Sequence, residues 1–162
     1  ISCLNTPLII HKHVGNNLRK THMKLISTII LLLTFNIGFS CTCKSLGKID
    51  KEQFNQYDLI ATGKILSVDF GEFTQKIEVG IHSVFKGRIK KMTIVLSTSS
   101  QSGMCGIFPK VGEKWLIYAN GNGYEFSTDL CTRTQNMTRV NQREKEIIKD
   151  DLTFLKKNST RK

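Results

Sequence analysis

Four cysteines constrain the fold of this chain more than any other feature. Cys41 and Cys43 are separated by one residue, and Cys105 and Cys131 lie far along the chain. An even number of cysteines in a small exported domain indicates a disulfide framework. A bridge between Cys41 and Cys43 would be badly strained, so each should reach a distant cysteine. Such bridges close loops of roughly 64 to 88 residues, and each is worth about 4 kcal/mol in the chain-entropy description.

A metal or redox site built on the Cys-x-Cys pair is the less favoured interpretation of these cysteines. No histidine or acid close in sequence completes a ligand set around them. Three of the four histidines precede Cys41, and His82 stands alone in a predicted strand. We therefore expect the cysteines to be structural and predict no cofactor.

The segment before Cys41 has the three parts of a secretory signal peptide. Met23 and Lys24 open a short basic region, residues 29–39 are almost continuously apolar, and Ser40 is a small exit residue. The apolar run is shorter than the roughly 20 residues that a membrane-spanning helix needs, so we predict no transmembrane span in the mature chain. We interpret residues 23–40 as the signal peptide and residues 1–22 as a non-native upstream extension.

The predicted cleavage point indicates whether the protein is secreted or lipid-anchored, and which residue is the first of the mature chain. Gly38 and Ser40 are small and two residues apart, which suits signal peptidase and leaves Cys41 first, in a secreted, extracellular or periplasmic protein. A small residue directly before a cysteine also occurs in bacterial lipoprotein boxes, in which Cys41 would be lipidated. The apolar residue usual three positions before that cysteine is Gly38 here, which favours plain secretion.

Length and charge narrow the classes of partner. The 162 residues suffice for one ordinary domain, and 24 Lys and Arg against 13 Asp and Glu give a net charge of +11. The cations are scattered, and no aromatic residues interleave with them as a stacking platform for bases would require. We predict no nucleic-acid partner, although an acidic polysaccharide would suit the basic surface.

Hydrophobic periodicity predicts an all-β domain. Residues 50–57 favour a short helix, and the apolar residues Ile147, Ile148, Leu152 and Leu155 predict a C-terminal helix over 143–156. Between them, β-branched and alternating segments predict five strands, at 59–68, 76–85, 92–97, 114–119 and 124–128. Five strands with short helices favour an OB-like β-barrel over 41–157, followed by a frayed tail at 158–162.

The cysteine-containing motifs resemble those of a known family. The chain has Cys41-Thr42-Cys43 after the signal peptide, a Phe-Lys-Gly turn at 85–87, Cys105-Gly106, an aromatic-apolar strand at 115–119, and Leu130-Cys131. This combination resembles the tissue inhibitors of metalloproteinases (TIMPs), within the netrin-like domains, over roughly residues 41–155. The family's third bridge in this domain and the cysteine-rich second domain of its animal members have no counterpart. The chain therefore looks like a minimal, bacterial-like, single-domain member.

The resemblance implies a disulfide pairing and an inhibitory site. It pairs Cys41 with Cys105 and Cys43 with Cys131. The free α-amino group and the carbonyl oxygen of Cys41 would chelate the zinc of a secreted metalloprotease, and Thr42 would enter the specificity pocket of that enzyme. The implied contact ridge consists of Thr42, Cys43, Lys44, Gly103, Met104 and Cys105.

Other classes of function remain beside this one. We find no nucleophile with its base, no phosphate loop and no paired carboxylates, so the sequence does not predict an enzyme. An exported netrin-like binding module or lipoprotein without inhibitory activity is the alternative, and in it Thr42 and Met104 would be ordinary surface and core residues. An OB-fold nucleic-acid binder is disfavoured by export and disulfides.

Overall fold

The computed structural model describes residues 41–43 and 47–159, which form six strands and two α-helices. A short 3-10 helix, Ser102–Met104, precedes Cys105. In chain order the elements are α1 (Lys51–Gln56), β1 (Leu59–Phe70), β2 (Thr74–Lys86), β3 (Thr93–Ser99), β4 (Lys114–Asn122), β5 (Glu125–Ser127), β6 (Gln135–Asn136) and α2 (Gln142–Asn158).

Five of the strands close into a barrel. The hydrogen-bonded order is β1-β2-β3-β5-β4, and β4 returns to pair with β1. All neighbours are antiparallel except β3 and β5, which run parallel. The predicted all-β class, with a five-stranded OB-like barrel and a C-terminal helix, is confirmed.

The barrel strands are apolar where they face its interior. Alternate residues of β2 point inward, so Ile77 and Val79 are buried while Lys76 and Glu78 are exposed. Strand β1 begins with three fully buried residues, Leu59–Ala61. Leu59 and Ala61 lie in the barrel core, whereas Ile60 faces the second core beneath the helices, so this strand is apolar on both faces.

Helix α2 packs on the outside of the barrel, as predicted, but not with the predicted set of residues. Asn141 and Glu144 form a capping box at its start, and the helix ends at Asn158, beyond the predicted limit. Leu155 and Ile148 are buried, but Ile147 is 40% exposed, which corrects the predicted apolar face. The position buried between them is the acid Asp151.

Other boundaries differ by a few residues from the predicted ones. Strand β2 continues through Lys86, and Gly87 then turns the chain with φ 95°. This position requires glycine, because φ is positive and a Cβ there would collide with the carbonyl of Asp58. Strand β6 was not predicted, since two residues carry no periodic pattern.

Part of the sequence-based interpretation falls outside the residues that the structure describes. This applies to the upstream extension at 1–22, the signal peptide at 23–40, Lys44 and the last residues, 160–162. Within the described part, no helix is both long and apolar enough to cross a membrane.

Candidate functional site

Two disulfides attach the Cys41–Cys43 segment to the barrel. Cys41 is bridged to Cys105, with Cα atoms 5.3 Å apart, and Cys43 is bridged to Cys131, with Cα atoms 5.0 Å apart. These are the pairs that the TIMP resemblance implies. Thr42 is exposed between the two bridged residues, so a short segment with one outward side chain is held at both ends.

The two bridges touch each other. The Sγ atom of Cys41 lies 3.9 Å from that of Cys43 and 3.9 Å from that of Cys131, and the Sγ atoms of Cys131 and Cys105 are 3.6 Å apart. All four sulfurs lie within 4.8 Å of one another and are half-buried. The Cys-x-Cys pair therefore has two further sulfurs beside it, which sequence proximity did not reveal.

Cys105 belongs to a tight loop that requires its neighbouring glycine. The 3-10 helix ends at Met104 and is followed by Cys105, whose φ of 57° and ψ of 25° place it in the left-handed region. A Cβ on Gly106 would collide with the carbonyl oxygen of Ser99. The Cys-Gly motif thus reflects the close approach of this loop to the end of β3.

A buried amide supports this loop from below. Gln75 is fully buried, and its Nε2 donates to the carbonyl of Ser99 at 3.1 Å and to the carbonyl of Ile107. Thr98 adds a hydrogen bond, accepting from the N–H of Ile107 at 3.2 Å. Among the described residues, Oε1 of Gln75 is the buried side-chain oxygen that has no partner. Both ends of the loop that carries Cys105 are therefore fixed by β2 and β3.

The β1–β2 hairpin tip is joined to the same loop. The N–H of Ser100 donates to the carbonyl of Phe73 at 3.1 Å, and its hydroxyl donates to the carbonyl of Glu72 at 2.9 Å. Phe73 is 62% exposed although it is a large aromatic residue. The hairpin thus presents an apolar side chain beside the residues that precede Cys105.

The predicted ridge residues have different exposures. Thr42, Gly103 and Met104 are exposed, Met104 by 63%, whereas Cys43 and Cys105 are half-buried. Met104 is therefore not the core residue that the alternative interpretation would make it.

Two exposed apolar residues next to the ridge were missed by the sequence analysis. Phe73 lies in the turn of the β1–β2 hairpin, and Leu130, 58% exposed, directly precedes Cys131. The N–H of Leu130 donates to the carbonyl of Cys105 at 2.7 Å, so the two cysteine-bearing loops are hydrogen-bonded. The motif Phe70-Gly71-Glu72-Phe73, with two aromatics around a turn, was the available signal.

A buried ion pair connects the chain after Cys43 to the barrel and α2. Arg133 donates to both carboxylate oxygens of Asp151, at 3.1 and 2.6 Å, and to the carbonyl of Gly47 at 2.7 Å. The hydroxyl of Tyr118 also donates to Asp151, at 3.0 Å. Burial, reinforced by the negative charge of Asp151, raises the pKa of Tyr118, so this phenol stays neutral. The network is saturated with internal partners and has a structural role.

Glu113 is the second buried acid near the loops. Its carboxylate accepts hydrogen bonds from the N–H of Lys110 and the indole of Trp115, at 2.9 and 3.1 Å, and it forms an ion pair with Arg139. Burial opposes ionisation, but the hydrogen bonds and the charge of Arg139 outweigh it and lower the pKa of Glu113. Glu113 therefore holds together the turn before β4 as a carboxylate.

No protein-family model and no curated protein matches this sequence. We therefore infer the function from the geometry of the bridged segment and its neighbours. That geometry combines a rigid exposed Cys-Thr-Cys segment, a fixed loop with an exposed methionine, and further exposed apolar residues beside it.

Proposed function

We propose that the exported protein is an inhibitor of zinc metalloendopeptidases that acts through Cys41 as its first residue, in the manner of the TIMPs. The observation that carries the proposal is the position of Thr42, exposed between two cysteines that are each bridged to a separate barrel loop. The signal peptide, residues 23–40, would be removed on export, which would free the α-amino group of Cys41.

The chemistry of this first residue suits a catalytic zinc. Catalytic zinc sites hold the metal with three protein ligands and keep one position open for water. The α-amino nitrogen and the carbonyl oxygen of Cys41 would form a five-membered chelate ring with that metal and displace the water. An α-amino group has a pKa of about 7.7 to 8.0 in short peptides, so near neutral pH part of it is already unprotonated, and metal binding would release the remaining protons.

Rigidity is the contribution of the fold. A free N-terminal segment would lose conformational entropy when it bound, but the bridge from Cys41 to Cys105 removes most of that freedom beforehand. The second bridge, from Cys43 to Cys131, fixes the direction of the chain after Thr42. The side chain of Thr42 would then enter the specificity pocket of the protease without rearrangement of its backbone.

The loops beside Thr42 supply apolar contact surface. Met104, Leu130 and Phe73 are each more than half exposed, and each lies on a backbone segment that is bridged or hydrogen-bonded to the loop carrying Cys105. Large apolar side chains in such a position are typical of a protein interface. Met104 is unbranched and adaptable, which suits contacts with the cleft walls of different proteases.

The direct test extends the chain by one residue. An alanine added before Cys41 converts the α-amine into an amide and places a new residue where the zinc would bind, while Cys41 keeps its bridge. We expect inhibition of a panel of zinc metalloendopeptidases to fall by at least about 100-fold, because an interaction worth several kcal/mol is lost. The matched control carries the added alanine after Lys162 and should inhibit like the unmodified protein.

The outcome separates the two exported functions. Unchanged inhibition by the alanine-extended protein, with both bridges verified by mass spectrometry, would rule out chelation by Cys41. If neither form inhibits any protease of the panel, the binding-module alternative gains support. That alternative predicts salt-sensitive binding to an acidic polysaccharide, which survives acetylation of the α-amine.

A further inference from the structure

The four cysteine sulfurs have the spacing of a tetrahedral metal site. In a tetrahedral zinc site with Zn–S bonds of about 2.3 Å, neighbouring sulfurs are about 3.8 Å apart. Three sulfur pairs that are not bonded to each other already lie at 3.6, 3.9 and 3.9 Å, and all four sulfurs fall within 4.8 Å. The remaining non-bonded pair, Cys43 and Cys105, lies within 4.8 Å, and the two bonded pairs would have to separate from about 2.05 Å to that edge length.

Two of the sulfurs would keep their place without the bridges. The carbonyl of Cys105 accepts from the N–H of Leu130, and the N–H of Cys131 donates to Oδ1 of Asp129 at 2.8 Å. Gly106 and Gln75 fix the backbone after Cys105, as described above. Apart from the one to the exposed Asp129, these contacts depend on the backbone and on the buried side chain of Gln75, so reduction would leave this half of the cluster assembled.

The other two sulfurs belong to a segment that is anchored shortly afterwards. The carbonyl of Gly47, four residues after Cys43, accepts from Nη1 of Arg133, and Ile49 is buried in the core beneath the helices. A reduced Cys41–Cys43 segment would therefore stay within a few residues' reach of Cys105 and Cys131. The short tether raises its effective concentration at the site.

We propose that the reduced chain binds one Zn²⁺ through the thiolates of Cys41, Cys43, Cys105 and Cys131, and that oxidation to the two disulfides releases the metal. A cluster of four thiolates selects a thiophilic ion such as Zn²⁺ over Mg²⁺ or Ca²⁺. The site would exist in a reducing compartment, before export, and it holds the four cysteines together while they cannot yet form bridges. The proposal does not depend on protease inhibition.

The redox step balances. A dithiol reductant transfers two electrons and two protons to each disulfide and becomes a disulfide itself, so two reductant molecules produce four thiols. Four protons then leave as the four Zn–S bonds form. In the reverse direction, two molecules of a disulfide oxidant take up four electrons and four protons, both protein bridges form and Zn²⁺ is released.

Cobalt titration tests the site. The full chain with Cys3→Ser, which leaves only these four cysteines, is reduced with dithiothreitol, desalted under argon and titrated with Co²⁺. We expect one equivalent to bind with the thiolate charge-transfer and visible bands of tetrahedral cobalt, and Zn²⁺ to displace it. The oxidised protein should bind none. A further Cys131→Ser substitution removes one of the four ligands, so it should weaken binding by at least about 100-fold, more than the loss of an outer-shell partner, and lower the charge-transfer intensity.

Circular dichroism, recorded in parallel, shows whether the reduced chain is folded before and after the metal is added. Tetrahedral bands with a retained barrel, or with structure regained when the metal is added, support the site. A folded reduced protein without tetrahedral bands overturns the proposal. It is equally overturned if the reduced chain is unfolded and either binds no cobalt or binds it without regaining structure.

Discussion

Nη2 of Arg133 lies 2.6 Å from Oδ1 of Asp151, and both side chains are almost completely buried, 2% and 1% exposed. Arg133 comes two residues after the bridged Cys131, and Asp151 lies on α2. The pair therefore connects the cysteine-bearing loop to the C-terminal helix.

Breaking this pair should destabilise the protein strongly. Asp151→Asn leaves the guanidinium of Arg133 buried without its counter-charge, which typically costs about 3 to 5 kcal/mol. Urea denaturation of the oxidised protein would measure the loss. Asp150→Asn, the same change at the exposed neighbouring position, should alter the free energy of unfolding by no more than about 0.5 kcal/mol. Equal effects of the two substitutions would contradict the assigned role of the pair.

The close approach at Gly106 predicts a defect in the ridge loop. Gly106→Ala places a Cβ against the carbonyl of Ser99, so the backbone must shift at a cost of about 1 to 3 kcal/mol. If the loop contacts the protease, inhibition should weaken as well. Gly47→Ala is the control, because a Cβ there meets nothing within 4 Å. Thermal unfolding and inhibition assays of both variants test the expectation, which fails if Gly106→Ala behaves like the control.

The side-chain amide of Gln75 should stabilise the protein through its hydrogen bonds, and not only by filling space in the core. Gln75→Leu removes both hydrogen bonds to the carbonyls of Ser99 and Ile107 and leaves buried acceptors unpaired. We expect a loss of about 1 to 3 kcal/mol and faster hydrogen exchange in the loop before Cys105. Gln56→Leu, at an exposed position of α1, is the matched control. A Gln75→Leu protein as stable as the control would show that the unpartnered Oε1 offsets the two hydrogen bonds.

The lowered pKa of Glu113 predicts acid sensitivity. Its carboxylate binds a proton more readily in the unfolded chain than in the folded one, so its stabilisation is complete above about pH 4.5 and is lost as the pH falls through the folded-state pKa. Glu113→Gln should therefore be less stable than the unmodified protein at pH 7, and the difference should shrink at pH 3. Urea titrations at several pH values measure this, with Glu146→Gln at an exposed position as control. A difference that is constant with pH would contradict the prediction.

The two bridges should differ in their functional effect. Replacing either pair by serines removes about 4 kcal/mol of stabilisation in the chain-entropy description. The double variant Cys41→Ser/Cys105→Ser frees the first residue and should lose more inhibition than Cys43→Ser/Cys131→Ser, although the substituted first residue keeps the same backbone chelating atoms. Inhibition constants measured well below the melting temperature of each variant test this. Equal losses would indicate that the bridges act only through overall stability.

The local pattern of the sequence was sufficient for the five barrel strands, the barrel class and both helices, but not for the short strand β6. Period-two alternation in β2 and the helical spacing of Ile148 and Leu155 are properties of neighbouring residues, and the burial of these positions follows from them, although the same pattern wrongly included Ile147. Cysteine count and spacing likewise indicated two long-range bridges, because strain excludes a bridge between Cys41 and Cys43.

Contacts between residues far apart in sequence were decided only by the tertiary structure. Asp151 lies on the buried face of α2 because Arg133 and Tyr118 neutralise and hydrogen-bond it there, and no local pattern contains that information. The sulfur cluster, the loop beneath Gly106 and the exposed Phe73 and Leu130 likewise arise where barrel closure brings distant loops together. Periodicity reports which face of an element is buried, whereas partners across the barrel depend on strand register and loop geometry.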